Sequence, residues 1–298
     1  MSFSHTPYDG SSSPFTIGLT PLDMAEWIET DEALWAYLCE KDRLHAANPE
    51  IVFVEEEETR AAQAKVLKEL VSWLLENRPE IYSAEGEEIS VAGSGRRIRL
   101  DGPAPPLLTA AGLVQEDLVL MRKGETGWRL AAASLSFPSS WSLREKFGRA
   151  MHEIHAPVPG FGAGTRNAGL IERMFDNLKP WHPVKRFNWS IYTDSVLYHP
   201  ASSGERDVRP EHAFLRVERQ TLRKMPGSGD ILFTIRIHLD PLLALQSLPN
   251  AGQLARSLAS QLMALDAAQL AYKGLAANRD ALVERLNSWQ RLGKLEKS

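Results

Sequence analysis

Apolar positions change their period repeatedly along the chain, and each change marks a different kind of element. Over 58–77, Ala61, Val66, Leu67, Leu70, Val71, Leu74 and Leu75 recur at helical spacing, with Trp73 on the side of Leu70. A stretch over 23–47 also reads as helix. Between about 89 and 136 short apolar runs (98–100, 118–121, 128–133) are separated by Gly, Pro and charged turns, the layout of hairpin strands. Helix returns over 142–154, where Ser142 is placed as N-cap with Glu145 completing a capping box, and Pro157 and Pro159 stop it. A short helix is expected over 168–178, then strands over 187–192, 213–222 and 231–239, and an amphipathic helical tail from Asp240 onwards.

Helices, an antiparallel sheet interrupted by helices, then more helices make an α+β fold rather than a doubly wound one. Residues 1–20, polar and rich in Ser, Pro and Gly, read as an extended lead-in, followed by N-terminal helices over 21–84, a strand-rich core over 85–240 and C-terminal helices over 241–298.

Composition adds exclusions. With 298 residues, 43% hydrophobic and 24% charged, the chain can bury one large or two smaller cores. A formal charge of -4 and a pI near 6.1 argue against a nucleic-acid or polybasic membrane surface. The lone cysteine, Cys39, lies in an apolar helical stretch and reads as a small buried hydrophobe. One cysteine cannot form an internal disulfide or hold an iron–sulfur cluster, so electrons for any redox chemistry come from elsewhere. No apolar run approaches the roughly 20 residues of a membrane helix, and the N-terminal stretch lacks a signal-peptide layout, so a cytoplasmic location is expected.

Three segments could carry chemistry. Residues 136–161 contain His152 and His155 on a helix ended by a Pro-x-Pro turn, which leaves His155 at the helix end with little backbone freedom, as a metal ligand needs. Without a matching carboxylate-and-histidine pair elsewhere, one axial histidine on haem suits this better than a two-histidine metal site, although both residues could simply pack. In 185–194, strand alternation sets Arg186, Asn188 and Ser190 against Phe187, Trp189 and Ile191; the polar face either meets solvent or binds a carboxylate such as a haem propionate. In 214–239, Arg216, Glu218, Gln220 and Leu222 share one face and Val217, Arg219 and Thr221 the other. Glu218 could hold a cationic amine in a closed pocket, or belong to a surface ladder. The glycine clusters at 93–95 and 160–164 are turns, and no nucleophile elbow, zinc-protease helix or Walker lysine is present.

Taken together, FPSSW (137–141), EKFG (145–148), IHAPVPGF (154–161), RFNW (186–189), LRVERQTLRKMP (215–226) and ILFTIR (231–236) resemble the haem-dependent oxidative N-demethylases, the family of the haem alpha subunit of dimethylamine monooxygenase. The resemblance covers roughly residues 20–290. It implies a PAS-like antiparallel core over 85–240, with His155 as ligand to the iron of haem b and His152 structural. Arg186, Asn188, Arg219 and Arg223 are its candidates for propionate or pocket contacts. Glu218 would hold the substrate ammonium, with Tyr192 and Asp194 as further nominees. The implied reaction oxidises a secondary methylamine with dioxygen and NADPH-derived electrons, delivered by a separate flavin and iron–sulfur reductase subunit, and a folate-binding subunit could receive the formaldehyde. The rivals are a haem PAS-type gas or redox sensor, and a haem-free binding protein on the same fold.

Overall fold

The computed structural model describes residues 3–201 and 204–295. Its centre is a seven-stranded antiparallel sheet in the order β1-β8-β9-β10-β6-β7-β2. Five of these strands form the working core: β6 (Asp117–Gly124), β7 (Gly127–Ser134), β8 (Val184–Tyr192), β9 (Phe214–Lys224) and β10 (Ile231–Pro241). A β6–β7 hairpin, a helical excursion and a β8–β9–β10 meander follow in sequence, and β10 returns to pair with β6. At the sheet's ends lie β1 (Thr20–Pro21) on β8 and β2 (Phe53–Glu55) on β7. Arg122, near the end of β6, grips Asp230 at 2.9 and 2.8 Å and so ties one turn of the sheet to the other.

Side-chain alternation divides the layers. One face carries Val119, Met121, Leu222, Ile231, Ile235 and Ile237, packed with Met151, Phe161, Ile171 and Phe175 from the excursion. The excursion comprises α5 (Leu143–Lys146), α6 (Met151–Ile154) and α7 (Arg166–Asn177). Trp128 Nε1 donates to Asp176 at 2.9 Å and its ring stacks edgewise on Phe175, which pins α7 to β7. The opposite face packs in two places. Leu118, Leu120, Ala132 and Leu232 meet α1 (Leu34–Ala47), α3 (Arg60–Asn77) and α4 (Pro106–Ala111). Trp189, Ile191, Leu215 and Val217 meet α8 (Ala251–Ala264), α9 (Ala267–Lys273) and α10 (Arg279–Leu295). The short α2 (Pro49–Val52) leads into β2, and β3 (Tyr82–Glu85), β4 (Glu88–Val91) and β5 (Arg96–Arg99) form a separate small sheet.

The α+β reading stands, and most element types match their hydrophobic period. The stretch read as hairpin strands over 89–136 also contains the helix α4, and its β4 and β5 pair with β3 outside the main sheet; three further details differ. The first helix begins at Leu34, because a single 3-10 turn over 24–26 and a loop precede it. Cys39 is exposed: α1 turns Leu34, Leu38, Lys41 and Leu44 inward, and position 39 falls one step round from that stripe. The expected continuous helix over 142–154 is broken in two, and Ser142 makes no side-chain cap. Gly148 adopts φ +72° there, and the free stretch of β7 captures the chain: Gly148 N–H donates to Leu130 C=O at 2.9 Å and Leu130 N–H to Arg149 C=O at 3.3 Å. The cap belongs to α6 instead, where Glu153 accepts the Ala150 N–H at 2.9 Å. Among the described residues no helix is long and apolar enough to cross a membrane.

Candidate functional site

His155 caps the C-terminal end of α6, with φ -93° and ψ -1°. Its Nδ1 donates to Met151 C=O at 2.9 Å, which fixes the tautomer and leaves the Nε2 lone pair uncommitted. Burial lowers its pKa to about 4, against the pull of the Met151 carbonyl and with Lys146 and Arg186 adding to the depression. The imidazole is therefore neutral at physiological pH, the form that ligates metal. Phe161, just beyond the Pro-x-Pro turn, packs beside it with ring centroids 6.3 Å apart. His152 is exposed.

The sheet beneath presents a polar patch on β8 and β9 next to the apolar surface of β10. Register sets Arg186 opposite Gln220, Asn188 opposite Glu218 and Ser190 opposite Arg216. Across the next ladder Gln220 and Glu218 adjoin Ile235 and Ile237. Glu218 is 9% exposed and accepts from Gln220 Nε2 at 2.7 Å through one carboxylate oxygen; the other makes no hydrogen bond among the described residues. Arg186 gives one amino group to Thr16 C=O at 3.2 Å, while its buried Nε has no partner. Asn188 is half-buried between them.

Two groups that the sequence reading did not single out complete the patch. Lys146, on α5, lies 4.2 Å from the Trp141 ring centroid and forms no hydrogen bond or ion pair among the described residues. Burial pushes its pKa down to about 8 despite the attraction of Glu218 and Glu145. Lys273, at the end of α9, donates to Trp189 C=O, and burial takes its pKa to about 8 against Glu218. Beside it Tyr272 is pushed up to about 12 by burial, then by Glu218 and Tyr192, although 46% of the residue remains exposed. Lys146 lies within EKFG, a motif with a visible signal; Lys273 sits in an amphipathic tail that carries none. Glu218 thus lies within electrostatic range of four cations, Lys146, Arg186, Arg216 and Lys273, and positive charge is in excess.

The remaining candidates have other employment. Tyr192 is 2% exposed, shares a 3.0 Å hydrogen bond with Ser140 Oγ and carries Arg206 stacked 3.7 Å above its ring. Ser140 itself is held at φ +64°, strain that Arg206 and Tyr192 together maintain. Asp194 serves the loop after β8, accepting Val196 N–H at 2.9 Å with His199 Nε2 at 3.2 Å. Arg216 is spent on the carbonyls of Phe137, Pro138 and Leu197 and on Ser139 Oγ, which ties FPSSW to LRVER in space. Arg219 and Arg223 stand on the opposite sheet face and are not brought to His155. Arg219 pairs with Glu29 at 3.0 Å and bonds the carbonyls of Trp27 and Glu26. Arg223 pairs with Glu69 at 2.6 Å, stacks on Trp27, and lines an open depression of about 520 Å³ against α3.

A neutral histidine with Nε2 free thus lies on the sheet face where β8 and β9 carry cations without carboxylate partners beside the apolar side chains of β10. The family model described as haem-dependent oxidative N-demethylase, alpha subunit-like, matches residues 18–283. The chain belongs to that family of haem-dependent oxidative N-demethylase-like proteins, and the alpha-subunit description implies further subunits.

Proposed function

We propose that this chain holds haem b through His155 Nε2 and oxidatively demethylates a secondary methylamine such as dimethylamine. The observation that carries the reading is the His155 arrangement: Nδ1 anchored on Met151 C=O, Nε2 free, and Lys146 and Arg186 close by without carboxylate partners. Two half-buried cations without carboxylate partners are stabilised by a ligand that supplies the counter-charge, and two propionates do so. When bound, the haem iron supplies the dioxygen chemistry that the side chains lack. The hairpin–helices–meander connectivity, with a helix-borne histidine over the sheet, supports a PAS-like haem domain.

Each side chain then has a defined task. Lys146 and Arg186 hold the propionates, with Asn188 beside them. With those cations neutralised, the open carboxylate oxygen of Glu218 would accept the substrate ammonium and orient the amine. Ile235, Ile237, Phe161 and Ile154 exclude water from the reacting end. One dioxygen, two electrons and two protons convert a secondary methylamine into a primary amine, formaldehyde and water. A single exposed cysteine offers no cluster, so the electrons arrive from a separate flavin and iron–sulfur protein fed by NADPH, and a folate-binding partner is a fitting acceptor for formaldehyde.

The test is the ultraviolet-visible spectrum of the chain expressed with ample haem, before and after dithionite, in wild type, His155→Ala and His152→Ala. The expected outcome is a Soret band that His155→Ala shifts or abolishes and His152→Ala leaves unchanged. Absence of a Soret band in wild type after haem titration would overturn the reading.

A further inference from the structure

The opposite face of the sheet carries a second convergence of metal-ligating groups, unrelated to His155. His238 extends from β10; Glu29 comes from the loop before α1; His5 comes from the N-terminal segment, which folds back over β8 and packs its ring 4.7 Å from Phe187. His5 Nε2 lies 2.8 Å from one Glu29 oxygen and His238 Nε2 lies 2.9 Å from the other. One ligand atom from each of the three residues falls within 4.8 Å of the others.

We propose that His5, Glu29 and His238 form a binding site for a divalent transition-metal cation, with Zn²⁺ as the best match. Two imidazole nitrogens and one carboxylate are a zinc donor set, and a tetrahedral ion needs only a water or one further oxygen to complete it. Asp240, two places on in β10 and so on the face of His238, lies within electrostatic range of His5 and adds negative charge beside the site. The surrounding charge fits a cation as well. Glu29, Asp31 and Asp240 are set against Arg219 and Arg236, and Asp31 is already committed to Arg236 at 2.7 Å. Arg219 Nε, 3.0 Å from Glu29, orients the carboxylate in the way an outer hydrogen-bond donor holds a metal ligand. The three ligands come from positions far apart in sequence, so one bound ion would tether the N-terminal segment to the sheet.

Tag-free full-length protein, treated with a chelator and then dialysed, is titrated with Zn²⁺ against a chromophoric zinc indicator, and bound zinc is counted by elemental analysis, which distinguishes it from haem iron. Wild type is expected to take up one Zn²⁺ per chain and to melt at a higher temperature with zinc than without. His5→Ala and His238→Ala should each bind at least about tenfold more weakly, since even the loss of a supporting hydrogen bond costs about ten- to a hundredfold. His5 lies outside the sheet, so His5→Ala tests the site even where His238→Ala disturbs folding. Zinc uptake by wild type no greater than by the His5→Ala/His238→Ala double variant overturns the proposal, as does a His5→Ala variant with wild-type affinity; either result leaves the three residues as a hydrogen-bonded clasp.

Discussion

At the residue scale, function turns on which polar groups are satisfied by the protein and which are not. Arg216 and Arg219 are both 1% exposed, yet each spends its guanidinium on carbonyls or a carboxylate of the chain itself. Arg186, Lys146 and one oxygen of Glu218 are left with unfilled capacity on the face below α6. A buried polar group without a partner costs about 1–3 kcal/mol, so such groups cluster where a ligand completes them. The assignment of Glu218 to the ammonium gives a sharp expectation. Glu218→Gln keeps shape and most packing but removes the charge, and a hydrogen bond to a charged group is worth about 1.5–3 kcal/mol. The KM for dimethylamine should therefore rise by about tenfold or more, with the Soret maximum unmoved. A shifted Soret band with unchanged KM would place Glu218 with the haem and not with the amine.

At the element scale, the site depends on a break that periodicity could not show. Reading 142–154 as one helix is reasonable from its apolar spacing, but whether the edge of β7 is free to capture residues 148–150 depends on sheet order, which no local pattern encodes. The break lets α6 start afresh at Met151 from a chain bridged to β7, and His155 ends it within electrostatic range of Arg186 on β8. Gly148 is the hinge: at φ +72° a side chain meets no neighbour, so the cost of Gly148→Ala is backbone strain, about 1 kcal/mol. The expected result is a small loss of urea stability with a disproportionate loss of haem affinity, measured by haem transfer to a scavenger protein. A loss of stability with no change in haem retention would mean that α6 is positioned without this turn. Strand alternation, by contrast, was legible throughout: the two faces of 186–191 and of 216–222 lie as their period-two pattern implies.

At the scale of the whole molecule, the sheet is a partition with two polar systems on opposite sides, and alternation sorts its arginines between them without showing what each one binds. Alternation puts Arg219 and Arg223 on the face away from Glu218, but only the return of residues 26–29 and of α3 shows what they are for. Arg219, paired within the framework, and Arg186, without a carboxylate partner, should consequently behave in opposite ways. Arg219→Leu removes the guanidinium that satisfies two carbonyls and Glu29 across 190 positions of sequence, and breaking such a buried pair costs about 3–5 kcal/mol. Arg186→Leu instead removes a cation whose Nε has no partner in the chain, so haem-free stability should hold or rise, by about 1 kcal/mol at most. Haem affinity should move the other way: Arg186→Leu loses it, whereas Arg219→Leu, once folded, retains the wild-type Soret spectrum. The measurements are urea midpoints of the haem-free proteins and haem dissociation rates of the loaded ones. Equal loss of stability in both variants would show that Arg186 belongs to the framework, and the propionate role would then rest on Lys146 alone.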